Sequence, residues 1–223
     1  TRIDDRILLT GQFPRSVAPE LFNAAGVNGA QLFTNAIDTE TKGLDVVISH
    51  NARFSDFKLD NNFAVNLNQT KKVGDIHSSG ALQAANLENI YFSEASRVYL
   101  EEAVPKVKAS LSHNLNWKDA TFYLRNTYFG KVTSPDIIDA NGDGIVSLNE
   151  HQTITDKIIT DVSVAYKLTK NLGITLGANN LFDIYPTKNL TASTNNDQFI
   201  YSRSTSQFGL NGRYVFSRLN FNF

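Results

Sequence analysis

The stretch Val107-Lys108-Ala109-Ser110-Leu111-Ser112-His113-Asn114-Leu115-Asn116-Trp117 shows the pattern that decides the fold of this 223-residue chain. Its odd positions are mostly apolar, and its even positions are all polar. Because successive side chains of a β-strand point to opposite faces of the sheet, this period of two predicts a strand with one apolar and one polar face. The stretch therefore predicts β-sheet rather than helical structure.

The same alternation recurs along the chain, and the turn residues between the alternating stretches separate eight predicted strands. The strands cover residues 2–10, 31–49, 57–70, 105–117, 120–133, 156–168, 172–185 and 206–223. Short connections are predicted near residues 51–55, 117–119 and 169–171. Long connections are predicted at residues 11–30, 71–105, 134–155 and 186–205. Helical periodicity is weak except in residues 81–102, where we expect a short helix within a loop.

Short and long connections alternate strictly, so an antiparallel sheet of these strands would have all its long loops at one end. Outer-membrane barrels have this arrangement, with short periplasmic turns and long extracellular loops. A packed dry core would not accept the charges on the predicted polar face, whereas a water-filled lumen would. These charged residues are Lys58, Asp60, Lys108, Asp161, Lys167 and Arg218.

The sequence therefore predicts an all-β fold: a segment of an antiparallel transmembrane β-barrel, about eight strands of a larger barrel. A soluble antiparallel sheet with one solvated face remains the alternative. Because the chain begins with Thr1 inside a predicted strand and contains no methionine, we expect it to be a fragment.

Composition narrows the classes of function. The formal net charge is −1, so no basic field attracts nucleic acid. Cysteine is absent, which excludes disulfides and thiolate chemistry. The four histidines His50, His77, His113 and His151 lack metal-ligand spacing, and no nucleophile elbow or phosphate loop occurs. We therefore expect no enzymatic activity and no nucleic-acid partner.

Several segments, taken in order, resemble the TonB-dependent outer-membrane receptors, in the form found in Bacteroidetes. The nine residues from Gly177 to Tyr185, Gly-Ala-Asn-Asn-Leu-Phe-Asp-Ile-Tyr, resemble the penultimate-strand signature of that family. Gly212-Arg213-Tyr214 and a last strand that ends in Phe223 resemble its closing strand. Upstream, Ile3-Asp4-Asp5-Arg6-Ile7 and the segment 35–45 resemble two earlier strands of the family.

The resemblance implies that residues 1–223 form the C-terminal portion of a 22-stranded barrel in the bacterial outer membrane, with its loops extracellular. It implies uptake of a scarce ligand of the iron-chelate, cobalamin or glycan class, powered by the TonB complex through a plug region that is not present in this chain. The implied partners are outer-membrane lipid and the barrel-assembly machinery, for which Phe221 and Phe223 resemble the assembly signal. The transported ligand and its binding residues stay unknown.

Residues 139–150, Asp-Ala-Asn-Gly-Asp-Gly-Ile-Val-Ser-Leu-Asn-Glu, match the EF-hand calcium loop at every restricted position. Calcium prefers oxygen ligands from alternate loop positions, a glycine at the sharp turn and a bidentate glutamate at the end. The predicted ligands are Asp139, Asn141, Asp143, the carbonyl of Ile145, Ser147 and Glu150.

Asp, Asn and Gly are also ordinary turn residues, so a polar loop without an ion is the alternative for this segment. No helix pair is predicted to flank the loop, which argues against a calcium sensor that opens a groove. We therefore expect a structural calcium ion that stiffens one extracellular loop. A calcium-stiffened extracellular binding or adhesion module without transport is the second hypothesis for the whole chain.

Overall fold

A computed structural model describes residues 1–17, 19–78, 83, 87–147, 149–190, 196 and 198–223. The strands within these residues are β1 (Arg2–Leu9), β2 (Phe13–Pro14), β3 (Gly29–Ala30), β4 (Phe33–Arg53), β5 (Phe57–Val73), β6 (Val107–Trp117), β7 (Ala120–Phe129), β8 (Val132–Ile137), β9 (His151–Ile154), β10 (Lys157–Lys167), β11 (Leu172–Asn179) and β12 (Tyr214–Phe221). The helices are α1 (Pro19–Ala25), α2 (Glu88–Tyr91) and α3 (Glu94–Glu101), with a short 3-10 turn at Arg15–Val17.

Eight strands form one sheet in the order β1-β4-β5-β6-β7-β10-β11-β12, and two short pairs, β2-β3 and β8-β9, lie outside it. These eight correspond one to one with the predicted strands, so the predicted fold class is confirmed. The tight connections are confirmed at residues 54–56, 118–119 and 168–171. The two short pairs were missed because strands of two to six residues carry too little periodicity to stand out.

The predicted strand 172–185 ends early, at Asn179, because the next residue forms a turn. Asn180 has a φ of 50°. Its side-chain amide donates to the carbonyl of Ile184 at 2.7 Å, and its side-chain oxygen accepts the Ile184 N–H at 2.9 Å. Asparagine tolerates this left-handed conformation better than most residues do. The Asn-Leu-Phe-Asp signature is therefore a side-chain-capped turn rather than a strand.

Two other predicted strands are shorter than expected, and glycines account for both. The predicted strand 120–133 divides into β7 and β8 at Gly130, where an added Cβ would lie 2.9 Å from the Val107 carbonyl oxygen. The predicted strand 206–223 begins only at Tyr214, because Gly212 has a φ of +66° that interrupts extended structure. In both places the backbone has a geometry that a side chain would oppose.

Register places apolar and polar residues on opposite faces of the sheet. One row of paired residues runs Leu59, Leu115, Phe122, Val164 and Leu176 across five strands. The neighbouring row on the other face runs Asp60, Asn114, Tyr123 and Ser163. By the same register, all six charged residues predicted for the polar face lie on one face.

Large apolar side chains on the first face are exposed: Leu176 is 55 % exposed and Leu219 70 %. Water would disfavour so continuous an apolar surface, whereas hydrocarbon would not. Among the described residues no helix is both long enough and apolar enough to cross a membrane.

The chain divides into two compact units. The first comprises Thr1–Lys42, Gln69–Ala103 and Thr133–Gln152, and contains most of the long connections. The second comprises Gly43–Asn68, Val104–Val132 and Thr153–Phe223, and contains the three tight turns.

The first unit has a small apolar core in which Ala36, Ile37 and Phe92 are buried, with Ile76 and Leu100 packed against them. Ser93 caps the N-terminus of helix α3, because its hydroxyl accepts the N–H of Ser96 at 3.2 Å. Helices α2 and α3 confirm the helix expected within residues 81–102, of which residues 81, 82 and 84–86 lie outside the described part of the chain.

The core of the first unit generates a stability prediction. Because the side chain of Ile37 is fully buried, Ile37→Ala should lower the free energy of unfolding by about 2–5 kcal/mol through lost burial and a residual cavity. Val47→Ala is the control on the same strand, since Val47 is 71 % exposed and should change stability by under about 1 kcal/mol. Urea unfolding of the protein in lipid vesicles measures the effect of both substitutions on stability. Equal effects of the two substitutions would contradict the assignment of Ile37 to a packed core.

Candidate functional site

The predicted calcium loop lies at the tip of the β8-β9 hairpin, between Ile137 and His151. The backbone N–H of Ile138 donates to the carbonyl of Glu150 at 3.1 Å and closes the base of the loop. Residues 141–147 are exposed, and Leu148, which is not a predicted ligand, lies outside the described residues. The hairpin therefore presents the loop to solvent on a short two-stranded stem.

The first half of the loop folds around Asp139. One carboxylate oxygen of Asp139 accepts the N–H of Gly142 at 2.7 Å and that of Asp143 at 3.1 Å, and the other accepts the N–H of Gly144 at 2.8 Å. Gly142 and Gly144 have φ angles of +80° and +83°. Glycine adopts this conformation without a steric penalty, which explains why the chain turns so sharply here.

The middle of the loop continues the same pattern. The side-chain oxygen of Asn141 accepts the N–H of Asp143, and the carboxylate of Asp143 accepts the N–H of Ile145, each at 2.8 Å. Such side-chain-to-backbone contacts two residues apart are Asx-turns. They fix the alternate positions at which an EF-hand loop carries its ligands.

Glu150 joins the end of the loop to its beginning. Its Oε1 accepts the N–H of Asn141 at 2.7 Å, and its Oε2 accepts the N–H of Ser147 at 3.4 Å. In the described part of the chain, no lysine, arginine or histidine forms an ion pair with Asp139, Asp143 or Glu150. The loop therefore has three carboxylates without a compensating cation, which favours binding of a positive ion.

The three carboxylates do not converge on one point. Among the described residues, oxygens or nitrogens of three acidic or histidine side chains lie within 4.8 Å of one another only at Asp5, Asp38 and His77. Glu150 would therefore have to exchange its N–H contacts for the ion to reach the coordination that the sequence predicts. The structure brings Asp139, Asn141, Asp143, Ser147 and Glu150 into one hydrogen-bonded loop, and the ligand roles of these residues and of Ile145 stay a prediction.

The side chain of His151 is only 4 % exposed. A polar loop next to Glu150 would instead favour a solvated side chain at this position. Its Nδ1 lies 3.1 Å from the carbonyl oxygens of Ser134 and Asp136, and its Nε2 lies 4.0 Å from a carboxylate oxygen of Glu94. Hydrogen bonds from Arg97 hold the pKa of Glu94 below its ordinary value, so this carboxyl is charged. His151 thus positions the base of the hairpin against α3.

Sequence reasoning missed the cluster of Asp5, Asp38 and His77, because these residues are far apart along the chain and have no motif spacing. The cluster belongs to the first unit. The backbone N–H of Asp5 donates to a carboxylate oxygen of Asp38 at 2.9 Å, and Nε2 of His77 lies 3.6 Å from the same oxygen. A signal was present in the paired Asp4-Asp5 within a short strand, since adjacent carboxylates are unusual in a regular strand.

The last two predicted positions, Phe221 and Phe223, are exposed, with ring centroids 5.2 Å apart. Phe221 is the last residue of β12. It pairs with Leu172, so its side chain lies on the apolar face. Their role as a barrel-assembly signal stays a prediction.

The polar face of the second unit has a cavity of about 240 Å³ next to a cross-strand ion pair. Arg125 donates to Asp161 at 3.0 and 2.6 Å, and the other oxygen of Asp161 accepts the N–H of Asn180 at 2.9 Å. Asp161 is buried and paired with Arg125, so it joins β10 to β7 and to the turn after β11.

Comparison with known proteins identifies one family and one fold. A family model described as "TonB dependent receptor-like, beta-barrel" matches residues 1–181. No curated protein matches the chain. The outer-membrane transporter YddB from Escherichia coli has a TM-score of 0.61 and 10 % identity, and the match covers 100 % of this chain and 29 % of YddB.

Two further solved structures show the same fold. The FrpB iron transporter from Neisseria meningitidis has a TM-score of 0.58 and 17 % identity, with 100 % of this chain and 28 % of that chain covered. The pyoverdine receptor FpvA from Pseudomonas aeruginosa has a TM-score of 0.54 and 15 % identity, with 100 % and 26 % covered. The chain thus spans about a quarter of the length of these proteins. The Bacteroidetes character of the resemblance stays a prediction.

The glycine turns of the loop generate a second prediction. An added Cβ at Gly144 would meet no atom within 4 Å, so Gly144→Ala acts only through its φ of +83°. We expect the substitution to destabilise the folded loop by about 1–2 kcal/mol. Hydrogen exchange of residues 141–147 measures this as roughly tenfold faster opening.

Gly209→Ala is the matched control, because an added Cβ there also meets nothing within 4 Å and its φ is not positive. It should leave exchange in the loop unchanged. Unchanged exchange in Gly144→Ala as well would show that the loop does not depend on the left-handed turn.

Proposed function

Because this chain belongs to the TonB-dependent receptor-like β-barrel family, we propose that it forms part of the wall of an outer-membrane receptor that imports a scarce ligand. In this proposal, β4 to β7 and β10 to β12 cross the membrane and the long connections face the outside of the cell. The energy for import comes from the TonB complex acting through a plug, and no residue of this chain is assigned to that contact.

One observation carries the proposal: the sheet has a continuous exposed apolar face and a charged opposite face. Leu59, Leu115, Phe122, Val164 and Leu176 form one unbroken row on the apolar side. Barrel strands alternate in this way because one face meets lipid and the other a wet lumen. The β5-β6, β6-β7 and β7-β10 ladders pair their residues in continuous register, as hydrocarbon requires of a strand that crosses it.

The ligand class follows only from the receptors that the chain resembles. The solved structures are named for pyoverdine and for iron, so iron chelates come first among the iron-chelate, cobalamin and glycan classes. The fold does not decide among these classes, because such barrels host different specificities in their loops.

We further propose that the hairpin loop 139–150 binds one structural calcium ion. The proposal is supported by three carboxylates that form no ion pair with a described residue, by the two glycine turns and by the Asx-turns. Each carboxylate oxygen has about two lone-pair sites, so Asp139 is able to accept loop N–H groups and an ion at once. The free energy of ion binding would offset the entropy cost of ordering an exposed loop.

Replacing two predicted ligands tests the calcium proposal. Asp139→Asn and Glu150→Gln in the full-length receptor should each abolish calcium binding measured by calorimetry, from a dissociation constant of about 10⁻⁴–10⁻³ M for an extracellular loop. Asn149→Ala is the control, since Asn149 is exposed and occupies a position without a ligand role. Unchanged calcium stoichiometry in both ligand variants would refute the site.

The membrane assignment has a separate test on β10, where neighbouring residues lie on opposite faces. Val164 is 45 % exposed on the apolar face, and Ser163 lies next to it on the polar face. In a bilayer, Val164→Arg should cost about 2–4 kcal/mol near the midplane, whereas Ser163→Arg should cost about 1 kcal/mol or less. The fraction of receptor that shows heat-modifiable migration after assembly into lipid vesicles reports the difference.

A water-soluble binding or adhesion module predicts the opposite result. Arginine at an already solvated position such as Val164 would then be tolerated as well as arginine at Ser163. The protein would also be a soluble folded monomer without detergent. Either outcome would overturn the receptor proposal and favour the module.

A further inference from the structure

Three side chains of metal-ligand type come together in the first unit from three separate elements. Asp5 lies on β1, Asp38 on β4, and His77 in the segment that follows β5. One ligand atom from each lies within 4.8 Å of the other two. The group is distinct from the hairpin loop 139–150 and shares no residue with it.

Backbone geometry fixes the positions of Asp5 and His77. Asp5 has a φ of 54° within a bulge, where the register of β1 against β4 shifts between Ile3 and Arg6. Bulges of this kind redirect a side chain away from the regular alternation. The N–H of His77 donates to the carbonyl of Ala36 at 2.8 Å, which attaches its segment to β4.

Packing next to His77 strengthens this attachment. Ile76 packs against the buried core of Ala36, Ile37 and Phe92. The apolar residue therefore faces inward, and the histidine that follows it is held beside Asp38 and Asp5. Because the positions are set by strand pairing and core packing, little further ordering is needed to bind a ligand.

The distances bring His77 close to both carboxylates. Nδ1 of His77 lies 3.0 Å from an oxygen of Asp5, and its Nε2 lies 3.6 Å from an oxygen of Asp38. Metal–ligand bonds of about 2.0–2.2 Å in tetrahedral geometry separate neighbouring ligand atoms by roughly 3.3 Å. Because the two contacts use different ring nitrogens, binding of one ion requires the imidazole or a carboxylate to reorient, and one ligand atom from each residue already lies within 4.8 Å of the others.

We propose that Asp5, Asp38 and His77 bind a divalent transition-metal ion of the zinc type. Imidazole nitrogen with carboxylate oxygen suits such ions, and three protein ligands leave a position open for water. Asp5 is 65 % exposed, so water reaches that position. The bound ion clamps the segment after β5 onto β1 and β4.

Arg2 is a competitor for this site. Its guanidinium lies 3.2 Å from the second oxygen of Asp38 and 2.6 Å from Asp4, and the oxygen of Asp38 that faces His77 is a different one. Arg2 is 62 % exposed, and ion pairs of exposed groups are weak and screened. A metal ion therefore has to overcome a nearby positive charge but does not have to displace Arg2 from a buried position.

The rival explanation is that a protonated imidazole alone bridges the two carboxylates, since each ring nitrogen faces one of them. Such a bridge needs no metal and would bind none. The two explanations predict different effects of Arg2→Gln on zinc binding. In the metal site this substitution removes electrostatic repulsion and raises zinc affinity, whereas in the imidazolium bridge it creates no zinc binding.

Zinc titration of the full-length, chelator-treated receptor tests the proposal, with calcium in excess so that the hairpin loop 139–150 does not compete. Asp38→Asn, Asp5→Asn and His77→Gln should each weaken the highest-affinity zinc event by at least about 10–100-fold, because even outer-shell partners of metals contribute that much. His50→Gln is the matched control, since His50 is an exposed strand histidine whose side chain is hydrogen-bonded to Asn61 and is not part of the cluster. It should leave the affinity unchanged.

Cobalt absorption and hydrogen exchange give independent readouts. Cobalt should show ligand-field bands that are lost in His77→Gln and retained in His50→Gln. Zinc should slow exchange of residues 74–78 in the parent protein and not in Asp38→Asn. The proposal is overturned if zinc binds no more tightly to the parent protein than to His77→Gln, or if Arg2→Gln fails to raise the affinity.

Discussion

Pairing of backbone groups between neighbouring strands is the constraint on which the rest of this structure depends. In hydrocarbon no water satisfies an open N–H or C=O group, so only paired strands or helices are able to cross. The eight-stranded sheet meets this requirement through long, regular ladders such as that of β7 with β10, where ten residue pairs are in register. Once that register is fixed, the face of every side chain follows, because a slip of one residue would move all apolar side chains to the polar face.

The sequence predicts those features that depend on neighbouring residues and misses those that depend on distant ones. The alternation in residues 107–117 is local, and the strand β6 that it predicts is present from Val107 to Trp117. The end of β11 was missed, because Asn180 leaves the strand by bonding its side chain to Ile184, a choice that alternation does not encode. Propensity and pattern are weak guides where one side chain competes with the ladder.

The candidate ion sites show the same division. The loop 139–150 is a contiguous motif, so its turns, its glycines and its closure by Glu150 could all be inferred from the residue order. The cluster of Asp5, Asp38 and His77 could not, because Asp5 and Asp38 are 33 residues apart and meet through a bulge that shifts the register of β1. Spacing along the chain identifies a site only when one local element supplies its ligands.

Both candidate ion sites belong to the first unit, which contains most of the long connections. Its buried apolar side chains include Phe13, Ile37, Phe92 and Val98. Ordering long connections costs conformational entropy, which a bound metal ion is able to offset. Arg97 bonds to Glu94, Glu101 and Glu102 in and next to α3, and Glu101 also accepts the backbone N–H of Lys72 on β5. In the second unit the strand ladders order the chain, whereas in the first unit charged groups and the ions we propose share that task with the buried apolar side chains.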